Sequence, residues 1–91
     1  MSIIARNIEV TAEPTPLPSF HCRRVHLQVQ NGYPKIGGSD LTVSTSTFSN
    51  GFDLQSNHEP LIIEEVSNTD EIYVAKLTAD GFTRIEMLVE D

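Results

Sequence analysis

Residues 59–91, EPLIIEEVSNTDEIYVAKLTADGFTRIEMLVED, decide the fold. Three short runs rich in Ile, Val, Leu and Tyr occupy residues 61–66, 71–77 and 83–89. Between them lie Ser67-Asn68-Thr69-Asp70 and Thr78-Ala79-Asp80-Gly81. Asn, Asp, Ser and Gly favour turns because they tolerate, or hydrogen-bond to, the backbone angles that turns need. The pattern predicts three consecutive strands joined by two turns, an antiparallel meander. In the last run Ile85, Met87 and Val89 alternate with Arg84, Glu86, Leu88 and Glu90, the period of a strand with one buried face. Leu61-Ile62-Ile63 has no alternation and reads as a strand buried on both faces.

Upstream, the strongest alternation is in residues 21–30. Val25, Leu27 and Val29 share one side of this strand, and Arg24, His26, Gln28 and Gln30 share the other. Asn31-Gly32 follows, the dipeptide that best suits a tight hairpin turn, so residues 33–36 are predicted to return beside it. Pro34 suits that return to a sheet edge. Earlier still, Ile8, Val10 and Ala12 alternate with Glu9 and Thr11 as a half-buried strand. Pro14, Pro16 and Pro18 lack amide donors, which makes their segment an extended connector and excludes a central strand or helix. Residues 41–43 and the pair Phe52 and Leu54 suit two further short strands. The whole reads as an all-β chain, a single small antiparallel β-sandwich or barrel over residues 1–91. Residues 1–6 form a candidate N-terminal arm.

The chain has 91 residues and a formal net charge of −7. That length suits one domain with a modest core, which oligomerisation commonly supplements. The negative charge opposes binding to phosphate backbones. Hydrophobic residues make up 38% of the chain, and no run approaches the roughly 18 apolar residues of a spanning helix. The opening MSIIARNIEV lacks the charged and apolar regions of a signal peptide. The single cysteine, Cys22, excludes an internal disulfide and fits a reducing compartment.

No catalytic constellation emerges. His21 and His26 fall on opposite sides of a strand, and with His58 they leave a zinc site short of ligands. The adjacent carboxylates Glu64-Glu65 and Asp70-Glu71 point to opposite faces and so make no acid–base pair. Arg23 and Arg24 beside Cys22 would lower its thiol pKa, but a nucleophile also needs a positioned base. Gly37-Gly38 lacks the Lys-Ser/Thr of a phosphate loop. No catalytic residue, metal ligand or cofactor site is therefore assigned, and the expectation is a protein that binds or assembles. Phe48 and Phe52 sit in a polar, turn-rich stretch and are expected either to fold onto the core or to touch a partner. Ile3 and Ile4 pose the same choice at the other end.

Short motifs follow one another in order along the chain: NIEVTAEPTPLP at 7–18, CRRVHLQV at 22–29, YPKIGGSDLTVST at 33–45, NGFDL at 50–54, EPLIIE at 59–64 and DEIYVA at 70–75. Their order resembles that of the small β-domain proteins found among virion genes of tailed bacteriophages. Two departures stand out: residues 44–49 are longer than usual, and Ser56-Asn57-His58-Glu59-Pro60 replaces a Pro-Gly-Glu turn. The resemblance implies a virion structural protein without enzyme activity, most simply a capsid decoration, or cement, protein on the outer capsid surface. Such a protein is made in the host cytoplasm, binds the major capsid protein and forms a homotrimer. On that reading Ile3, Ile4, Phe48 and Phe52 are the candidate partner contacts. A tail, fibre or head–tail connector component is the alternative. A carbohydrate-binding module would need exposed aromatic residues, and the chain has no Trp.

Overall fold

A computed structural model describes residues 3–43, 49–54, 60–78 and 80–91. Among these, eight strands form two antiparallel four-stranded sheets. The strands are β1 Ile3–Glu9, β2 Thr15–Pro16, β3 Arg24–Asn31, β4 Lys35–Gly37, β5 Phe52–Asp53, β6 Leu61–Glu64, β7 Tyr73–Ala75 and β8 Arg84–Glu90. The first sheet has the order β1-β8-β3-β6 and the second β2-β7-β4-β5. Their facing sides share one core, so the chain is an antiparallel β-sandwich.

The two best-patterned strands lie side by side at the centre of the first sheet. Val25, Leu27 and Val29 of β3 stand opposite Val89, Met87 and Ile85 of β8, and all six are buried. Ile4 and Ile8 of β1 extend this layer opposite Val89 and Ile85. Leu17, Leu54, Ile36 and Val74 close the core from the other side. The proline-rich connector supplies β2, which pairs with β7 at an edge of the second sheet, where a missing amide donor is tolerated.

The predicted meander does not form. β6 is an edge of the first sheet, β7 belongs to the second, and β8 returns to the middle of the first. A 3-10 turn at Thr69–Glu71 carries the chain between the sheets. Asn68 Oδ1 accepts from the Asp70 amide at 3.0 Å, and Glu71 Oε2 accepts from the Asn68 amide at 3.0 Å. This reciprocal cap satisfies the turn's free donors. The hydroxyl of buried Thr69 ties the turn to the connector: it accepts from the Phe20 amide at 2.8 Å and donates to the Pro18 carbonyl.

Asn31-Gly32 turns the chain, with Gly32 at φ +85°, but not into a hairpin. Both flanks of β3 are already taken by β8 and β6, so β4 crosses to the second sheet. There β4 lies between β7 and β5, not at an edge. The apolar run of β6 is not buried on both faces either. As an edge strand it half-buries Leu61 and Ile63 against the core and leaves Ile62 48% exposed. Residues 3–6, the candidate arm, lie within β1 and pair with β8.

Candidate interaction surface

The outward face of the first sheet concentrates the chain's unusual side chains. Side chains alternate across a strand, and the strand register aligns them in rows. One row crosses all four strands: Ala5, Leu88, His26 and Ile62. Leu88 and Ile62 are both exposed. Four strands at about 4.8 Å spacing make this row about 14 Å wide. The row on one side is Ile3, Glu90, Arg24 and Glu64, and the row on the other begins Asn7, Glu86 and Gln28. A recess of about 320 Å³ opens among Ala5, His26, Gln28, Pro60, Glu86 and Leu88.

Glu90 organises the polar side of this face. Its Oε2 accepts from Arg24 Nε at 2.7 Å and from His26 Nε2 at 2.6 Å. Arg24 also reaches Glu90 Oε1 at 3.4 Å and Glu64 Oε1 at 3.5 Å. Hydrogen bonds to the charged form favour it. His26 first, then Arg24, therefore hold the Glu90 carboxyl below the usual glutamate range. The same contacts raise the Arg24 guanidinium further. The Glu90 side chain is only 16% exposed. The cluster ties His26, which stands between Leu88 and Ile62 in the first row, to Arg24 and Glu90 in the next.

The sign of the pH effect follows. The Glu90 pKa is lower in the folded chain than in the unfolded one, so its stabilisation is complete above about pH 4.3. It fades as pH falls through the lower folded value. Glu71, held down by the Asn68 amide and the Ser67 hydroxyl, adds to the effect with the same sign. Glu90→Gln is expected to lower the unfolding midpoint in urea at pH 7, with the gap to wild type narrowing below pH 4. A constant gap across that range would show that Glu90 ionises alike in both states.

A second recess, about 600 Å³, lies at the end of the sheet beside Cys22, Arg23, Glu65 and Ser67. Cys22 faces inward, and its Sγ donates to the Val66 carbonyl at 3.4 Å. Burial, and then the Glu71 charge, raise its pKa, opposite to the effect expected of Arg23 and Arg24. Burial prevails because the thiol is packed into the core, while the Arg24 guanidinium is engaged by Glu90 and Glu64. Among the described residues no group of three or more His, Cys, Asp or Glu is placed to hold a metal ion.

The residues singled out from sequence separate. Ile3 stands at a corner of the outward face, 62% exposed. Ile4, its neighbour, turns inward and packs against the core, since adjacent strand residues face opposite ways. Phe52 is exposed, not core, and belongs to β5 in the other sheet. Phe48 lies outside the described residues. Sequence reading missed Leu88, Ile62 and the Glu90 cluster as parts of one surface. The shared parity of Leu88 with Glu90, and of Arg24 with His26, is visible in sequence, but the register that aligns them with each other and with Ile62 is not. No protein-family model, curated protein or solved structure matches the chain.

Proposed function

We propose that this chain is a bacteriophage virion structural protein: a capsid decoration protein that binds the outside of the shell and stabilises it. The carrying observation is the pair of exposed apolar side chains Leu88 and Ile62, on either side of His26 in the row that begins at Ala5 on the outward face of the sheet, flanked by Glu64, Glu86 and Glu90. Such a face suits a protein surface with an apolar centre and basic rim, because complementary charge steers the encounter and apolar burial holds it. The partner is the major capsid protein, and the shell-bound form is the homotrimer that the motif resemblance implies. The role is one of binding, without catalysis, cofactor, membrane or nucleic acid. A tail or connector position keeps the same face and differs in copy number.

Binding of purified protein to undecorated shells tests this reading. Leu88→Glu with Ile62→Glu puts charge into the apolar row without touching the core. Burying each side chain is worth about 1.5–3 kcal/mol, so binding should weaken at least tenfold. Circular dichroism should remain that of the β fold. Unchanged binding by the double variant would remove this face from the contact. Truncation before Asn7 is not a clean test, because residues 3–6 form half of a paired strand.

Exposed aromatics favour a carbohydrate-binding reading as the alternative. Tyr33 and Phe82 are 63% and 51% exposed. The packing of Gly32 on the Phe82 backbone brings them to one end of the sandwich. Saccharide titration with a Tyr33→Ala control separates this from shell binding.

A further inference from the structure

Among the described residues the two sheets have four edge strands, and three of them are poor templates for pairing. β2 has two residues, one of them Pro16, with Pro14 and Pro18 beside it. β5 has two residues. β6 has four, and is followed by Glu65 at φ +62°, which breaks the extended backbone. Natural edges are protected by such devices, shortness, proline and local kinks, and by charged side chains. β1 lacks the first three and has only Arg6 and Glu9 as charges. It is seven residues long, five of which are exposed, and among the described residues β8 is its sole strand neighbour.

The direction of its free groups can be read from the ladder. The Val10 amide donates to the Thr83 carbonyl at 2.9 Å, continuing the β1–β8 register past Ile8–Ile85. The Glu90 carbonyl, opposite Ile3, turns the other way and accepts from the Arg23 amide at 2.8 Å. Bonding alternates along an antiparallel pair. Ile4, Arg6 and Ile8 therefore spend their amides on β8, and Ile3, Ala5, Asn7 and Glu9 point theirs outward. The outward Ala5 carbonyl already accepts from Arg6 Nη1 at 2.8 Å, a side chain standing in for a neighbouring strand. A carbonyl has a second lone pair, so the acceptor stays open.

We propose that β1 is a self-association edge: in the free protein, two copies pair β1 against β1 antiparallel about a two-fold axis and join their first sheets into one of eight strands. Side-chain charge selects the register. An axis at Arg6 would set two guanidiniums opposite each other in a close, non-hydrogen-bonded pair, which is destabilising. An axis at Asn7 or at Ala5 places no like charges opposite. With the axis at Asn7, Ala5 meets Glu9 and Arg6 meets Ile8; with the axis at Ala5, Ile3 meets Asn7 and Ile4 meets Arg6. Either register uses the outward amides of both Ala5 and Asn7. The contact is isologous, as closed dimers require. It concerns the protein before docking and does not rest on the shell reading. Each copy carries −7, so the bodies repel at long range and added salt strengthens the pair.

Light scattering across a dilution series tests the proposal, with Asn7→Pro and Ala5→Pro as variants. Proline at these positions removes an outward amide and leaves every β1–β8 bond in place. Wild type is expected to approach twice 10.1 kDa when concentrated, and more so in high salt, with both variants staying at 10.1 kDa and keeping their β spectrum. If a proline variant fails to fold, hydrogen exchange on wild type decides. The Ala5 and Asn7 amides should be protected in concentrated samples and exchange rapidly on dilution. Monomer at all concentrations, exchange at Ala5 and Asn7 independent of concentration, or an oligomer that survives Asn7→Pro would each overturn the pairing. None of those results bears on shell binding, which the outward-face variants test separately.

Discussion

Leu27→Ala is expected to lower the free energy of unfolding by about 2–5 kcal/mol, the range for emptying a buried leucine site. Leu27 is fully buried at the centre of β3, with Met87 of β8 on one flank and Leu61 of β6 on the other. It also faces the second sheet across the core. Neighbours in paired strands cannot close the gap without moving the ladder, so the cavity should persist. A domain of this size holds roughly 5–14 kcal/mol in all. The variant should therefore melt about 10 °C or more below wild type. Urea titration with an unchanged slope would locate the loss in the folded state. A loss under about 1 kcal/mol would mean that the sheets do not pack across this residue.

Gly32→Ala is the second large effect, about 2–5 kcal/mol, and it comes from the backbone. At φ +85° an L side chain is strained by roughly 1–2 kcal/mol. A Cβ there would also lie 2.3 Å from Thr83 Oγ1, 2.8 Å from the Phe82 carbonyl oxygen and 2.9 Å from Thr83 Cα. The last two are main-chain atoms and can move only with the chain leading into β8. Overpacking of that kind adds about 1–3 kcal/mol. Combining Gly32→Ala with Thr83→Ala would remove the hydroxyl clash alone. Thermal melts of the double variant should recover little of the loss. Full recovery would assign the cost to the side chain and leave the close backbone approach without consequence.

Gly32 also shows what sequence could and could not convey. Its need for a left-handed angle was legible in Asn31-Gly32. That β3 has neighbours on both sides is not, so the dipeptide alone reads as a hairpin. The buried faces of β3 and β8 were legible from alternation alone, because one-sided burial writes itself into every second residue. The run Leu61-Ile62-Ile63 carried no such mark, and its place at an edge depends on strand order. The Glu90 cluster was hidden for a related reason. Arg24, His26 and Glu90 have the same outward parity, but 64 to 66 positions separate the partners. Only the pairing of β3 with β8 brings them within 3 Å. Cys22 went the other way: Arg23 and Arg24 beside it in sequence suggested a lowered pKa, and burial, which the sequence did not reveal, raises it.

The placement of β8 has a consequence for how the molecule comes into being. The strand that joins β1 to β3 is made of residues 84–90, last among the eight in chain order. Until those residues exist, β1 has no partner in the first sheet, and β3 has only the four-residue β6. The apolar faces of Ile4, Ile8, Val25 and Leu27 must then wait in an open chain. Sheets that depend on such distant pairings fold slowly, over milliseconds to seconds, because the loop must close before any contact rewards it. A ribosome-bound chain halted before residue 84 would be open to proteases along residues 3–31, and the full 91-residue chain, once released, would be resistant.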